Sequence, residues 1–83
     1  MTPTVGRIVH YVMSSEHSRA SGEIRPAIIV RRWSDDPEGA VQLQVFTDGT
    51  NDGDECASGV VWKTSVRHDE EKTPGTWHWP PRV

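Results

Sequence analysis

Gly75-Thr76-Trp77-His78-Trp79-Pro80-Pro81-Arg82 crowds indole, imidazole and guanidinium groups into one short stretch of the chain. On an extended backbone Trp77 and Trp79 share one face and His78 points the other way. Two indoles on one face can fill a core, because large aromatics dominate small interiors. They can also offer a stacking wall to a nucleobase, worth ~1–3 kcal/mol per base. The spacing predicts a split, with one Trp inside and one at a surface pocket. An arginine beside such a wall forks onto phosphate, and Arg82 follows directly. Arg7, His10, Arg67 and His68 lie near other candidate strand ends, and Tyr11 adds an aromatic beside His10. If the first and last strands pair, His10 and His78 become cross-strand neighbours, and Arg67-His68 lies over the same end. The expected ligand-contacting residues are therefore Arg7, His10, Tyr11, Arg67, His68, Trp77, His78, Trp79 and Arg82. Tyr11 and one Trp would stack, the arginines would hold phosphate, and the histidines would donate hydrogen bonds. The plain alternative for the basic groups is ion pairing with Asp69, Glu70 and Glu71, or a solvated face.

Other chemistry finds less support. His10, His68 and His78 could ligate zinc with Cys56, but no pair has a familiar short ligand spacing, so no metal or other cofactor is expected. Asp48 to Glu55 has the carboxylates and glycines of a calcium loop without its twelve-residue register, and reads as a solvated hairpin loop. Carboxylates at Asp54 and Glu55 disfavour a thiolate at Cys56. There is no nucleophile elbow, phosphate loop or zinc-protease helix. The expectation is a protein that binds and does not catalyse. Arg31-Arg32-Trp33 reads as an arginine lying over an indole.

The elements that must position these groups are short strands. Arg7 to Val12 is β-branched and aromatic. Pro26 to Val30 is a continuous apolar run, which suits a strand buried on both faces with Pro26 at its first position. Val41 to Phe46 alternates, with Val41, Leu43 and Val45 on one side. Gly59 to Thr64 is a fourth strand, and Thr76 to Trp79 a fifth, stopped by Pro80-Pro81. Ser14 to Gly22 is a long polar loop. Ser34 to Gly39 is a turn. Ser65 to Gly75 could hold one turn of helix. Five strands with long first and third connections predict a small antiparallel barrel of SH3-like type, one domain over 1–83, with the five-stranded oligonucleotide-binding barrel as the alternative.

Composition bounds the partners. With 83 residues the chain is one small domain at most. At 25% charged and 34% hydrophobic residues it has no run near the ~18 apolar residues of a spanning helix, so no membrane partner is expected. A net charge of −3 argues against a general nucleic-acid binder. A single cysteine forbids an internal disulfide, and residues 1–7 lack the apolar stretch of a secretory signal, so a cytoplasmic location is expected.

The opening Pro3 to Val12, Arg25 to Val30, Leu43 to Gly49 and the closing Gly75 to Arg82 together resemble a group of small proteins of bacteriophage genomes and their bacterial hosts. The resemblance covers most of the chain outside Ser14–Gly22 and Thr50–Ser58. It implies only a phage or prophage setting, hence host cytoplasm, where small phage proteins outside the virion often serve host takeover or anti-defence. On that basis the first functional expectation is a sponge that sequesters a nucleotide-like immune signal, with the pocket formed between subunits of a homo-oligomer. Small domains gain stability by assembling, and a symmetric dinucleotide suits a two-fold interface. The alternatives are an SH3-like module that binds a host or phage protein, with its acidic loop steering basic partners, a single-strand nucleic-acid binder, and a minor virion component.

Overall fold

A computed structural model describes residues 2–16, 19–36 and 38–81. Five strands, β1 (Ile8–Val12), β2 (Ile24–Arg32), β3 (Val41–Phe46), β4 (Val60–His68) and β5 (Thr76–His78), close into a barrel in the order β1-β2-β3-β4-β5. The connectivity is SH3-like, with β1 antiparallel to both β2 and β5. The expectation of a wholly antiparallel barrel needs one correction, because β4 and β5 pair parallel, Arg67 with Thr76 and His68 with Trp77. A closed ring of five strands cannot alternate direction all the way round, so one seam must be parallel.

Alternation fixes the core. Val9 and Tyr11 from β1, Ala27 and Ile29 from β2, Val41, Leu43 and Val45 from β3, Val66 from β4 and Trp77 from β5 all point inward and are buried. The β1–β2 loop contributes Met13 and Ala20 to the same cluster. It is pinned as a hairpin extension by Met13 N–H to Glu23 O at 2.8 Å and Gly22 N–H to Met13 O at 2.9 Å.

Two further expectations are corrected. β2 is not buried on both faces: Val30 is exposed and Ile28 only half-buried. Pro26 is its third residue, opposite His10 and one place beyond the last β2–β3 pair at Ala27–Val45. Its missing N–H therefore interrupts no bond to β3. The helical turn expected between Ser65 and Gly75 is absent, since β4 itself runs on to His68. Helical geometry appears instead between β3 and β4, as two 3-10 turns, Gly49–Asp52 and Asp54–Cys56.

That connection is not the solvated loop its composition suggests. Asp52 is buried, and its carboxylate accepts Arg25 Nε at 2.8 Å, Arg25 Nη2 at 2.6 Å and the Asp48 N–H at 2.8 Å. Cys56 is buried beneath the same turns, and burial followed by the charges of Glu55 and Asp52 pushes its thiol up, which keeps it protonated and unreactive. On the far side of the barrel Arg31 lies 4.2 Å over the Trp33 ring, the cation–π cover that the sequence suggests.

Candidate binding site

The closing motif does meet the first strand. His10 pairs with His78 and Tyr11 with Trp77, and the two imidazoles sit edge to face at 5.6 Å between centroids. His68, on the neighbouring seam, lies 4.6 Å from the Trp77 ring. The split between the tryptophans is observed as well. Trp77 is 0% exposed, while Trp79 is half-buried and meets it edge to face at 5.2 Å.

These residues are packed together rather than opened around a ligand. Tyr11, Trp77 and His78 are all buried, so within one chain none of them presents a stacking wall or a donor to solvent. His68 is engaged, with Nε2 2.7 Å from the Glu70 carboxylate, and the same carboxylate oxygen accepts the Trp79 N–H at 3.0 Å. Burial raises the Glu70 carboxyl, but the Trp79 N–H and His68 outweigh it and hold the group below the usual carboxylate range. Arg7, just before β1, and Arg67, on β4, are exposed. Arg82 lies outside the described residues. Among the described residues no three His, Cys, Asp or Glu side chains gather as a metal site.

His78 carries a testable consequence. It is 1% exposed, and neither ring nitrogen has a hydrogen-bond partner among the described residues. Burial lowers its pKa from 6.5, and His10 on β1, His68 on β4 and Lys72 in the β4–β5 turn lower it further against the pull of Glu70. The unfolded chain therefore takes up a proton that the folded chain resists. The His78 contribution is constant well above pH 6.5 and falls as pH drops below it, by at most about 1.4 kcal/mol per pH unit. Asp69 and Glu70, shifted below 3.8 and 4.5, lose their stabilising contribution only at lower pH. Urea midpoints measured between pH 5 and 7 should show this slope in the native protein and not in His78→Leu. An equal slope in both would remove His78 as its source.

The open concavity of the molecule lies elsewhere. A groove of about 520 Å³ runs between residues 14–16 of the β1–β2 loop and residues 62–66 of β4, with Tyr11 beneath. Its shape comes from a bulge. The β3–β4 register shifts between Val41–Val66 and Leu43–Lys63, so β4 carries one extra residue. Ser65 takes a left-handed φ of 52° there, a conformation costly for a residue with a Cβ. Gln42 Oε1 holds it in place, accepting the Ser65 N–H at 2.9 Å, the Trp33 indole N–H at 3.3 Å and the Thr64 hydroxyl. Across the groove Lys63 pairs with Glu16 and ties the loop to β4. Of the site residues expected from the sequence, only Tyr11 borders this groove, and it is buried at its floor. The available signal was Trp62, whose parity against Val61 turns an indole outward. Compared with known protein families, curated proteins and solved structures, the chain matches none.

Proposed function

We propose that the protein is a non-catalytic interaction module that takes an extended polypeptide segment into the groove between the β1–β2 loop and β4. One observation carries this reading. β4 pairs with β5 only at Arg67 and His68, so from Val60 to Val66 it pairs with β3 alone among the described strands, and residues 62–66 of that stretch line the groove. A strand edge presents backbone N–H and C=O groups that an added strand can satisfy. Side chains of the added segment then meet Ser15 on the loop side and Thr64 on the β4 side. The groove is open along its length, which suits a chain passing through better than a small molecule, whose pockets enclose most of its surface. The nucleotide reading needs aromatic walls open to solvent, and Tyr11 and Trp77 stand in the core. The exposed carboxylates of Asp48, Asp54 and Glu55 would steer basic segments toward the molecule.

The test is selection of a displayed random-peptide library on the immobilised protein, followed by amide exchange with an enriched peptide bound. Backbone amides within Trp62–Ser65 should exchange at least about tenfold more slowly, equivalent to ~1.4 kcal/mol of added protection. Failure to enrich any sequence, or protection confined to other strands, would overturn the reading.

A further inference from the structure

The outer surface of the sheet is apolar where a solvated barrel should be polar. Cross-strand register places Ile8, Ile28, Gln44 and Trp62 in one row across β1 to β4. The adjoining row holds His10 and Pro26 on one side and Phe46 and Val60 on the other. Ile8, Phe46, Val60 and Trp62 are each between 40% and 60% exposed. Neither row contains an Asp, Glu, Lys or Arg. At such exposure an aromatic side chain alone offers on the order of 100 Å². With Ile24 and Val30 also exposed on the same side of β2, the face passes the ~400 Å² that a solvated surface tolerates and can form the apolar centre of a dimer interface of ~800 Å² per partner.

We infer that this face is covered by a second copy of the chain, packed sheet on sheet about a two-fold axis lying along the Ile8–Ile28–Gln44–Trp62 row. Two features select a second copy over another partner. The face is uncharged, so two chains of net charge −3 meet there without like charges in contact. Gln44 lies near the middle of the row, and no hydrogen bond within the described chain satisfies its side-chain amide. Burying an amide requires a partner that both donates and accepts. On this axis each Gln44 faces its own copy, and two amides satisfy one another reciprocally. The isoleucines and the indole of the row likewise meet their own copies, as an isologous interface requires.

Sedimentation of the full chain across a concentration series should show a reversible dimer. Gln44→Glu sets two carboxylates face to face and should weaken self-association at neutral pH about a hundredfold. Gln44→Lys should do the same. Mixing the two variants should restore a dimer containing one of each. Gln44 is exposed and lies outside the groove, so both variants should melt where the native chain melts when diluted to monomer and still capture groove-binding peptides. A native chain that stays monomeric throughout overturns the inference and leaves the groove reading standing. Gln44→Glu that dimerises as the native chain does overturns it too, as do Glu and Lys variants that fail to associate when mixed.

Discussion

Trp77→Ala should move the urea midpoint of unfolding far below that of the native protein. Trp77 is the largest fully buried side chain, and it stands where the barrel closes. Its strand pairs with β1 through Tyr11 and with β4 through His68, and its ring meets those of His68 and Trp79. Truncating a buried tryptophan costs about 3–5 kcal/mol, as lost transfer energy plus the cavity left behind. At ~0.05–0.15 kcal/mol per residue, a domain of this length holds only about 4–12 kcal/mol in all. Both barrel seams loosen together, because β5 has three residues and Trp77 is the larger of its two buried side chains. Trp77→Phe separates packing from hydrogen bonding. The indole Nε1 has no partner among the described residues, so phenylalanine keeps most of the buried area and removes an unsatisfied donor. That loss offsets part of the smaller ring's missing contacts, and the cost falls to about 1–2 kcal/mol. Far-ultraviolet circular dichroism against urea resolves both variants. An alanine variant with the native midpoint would show that β5 does not close the barrel.

The strands were legible where one face is buried and the other polar. Val41 to Phe46 alternates in sequence and in burial, because Gln42 and Gln44 face out and three aliphatics face in. β1 and β5 were legible from their aromatics, and the His10–His78 pairing followed once an SH3-like order was assumed. β2 was misread for a physical reason. Its apolar run reflects one side facing the core and the other belonging to an exposed apolar face, and periodicity cannot tell that from double burial. The misreading and the exposed apolar face thus have one origin in Ile28 and Val30. The groove escaped notice because it depends on a bulge at Ser65 and on Gln42, a polar residue of an ordinary alternating strand. The aromatic and basic site residues were found as neighbours, yet sequence alone could not show that Tyr11, Trp77 and His78 occupy the inside of their own cluster. The 3-10 turns were missed because their cause is 27 residues away, in the pairing of Asp52 with Arg25.

Asp52→Ala should cost about 3–5 kcal/mol, the range for removing one partner of a buried ion pair. Asp52 is 2% exposed and its carboxylate takes three hydrogen bonds, two from Arg25 and one from the Asp48 N–H. The hydrogen bonds from Arg25 to Asp52 hold the guanidinium firmly charged against a smaller penalty from burial. Without Asp52, the half-buried Arg25 retains the Ile24 carbonyl at 3.0 Å and, as its one carboxylate among the described residues, Glu23 at 3.4 Å and largely in solvent. The turns from Gly49 to Cys56 then lose their tie to β2, although their own short-range bonds remain. Local loosening should appear before global unfolding, and Cys56 reports it. In the native protein its buried thiol should resist alkylating reagents, whereas in Asp52→Ala labelling should become fast while the β-sheet signal persists. Replacing both partners, Arg25→Met with Asp52→Leu, leaves no charge stranded and should recover most of the stability. That recovery distinguishes a pair that specifies the path of this connection from one that supplies net stability. If Asp52→Ala melts with the native protein and keeps Cys56 protected, the carboxylate neither anchors the turns nor neutralises Arg25 to any measurable effect.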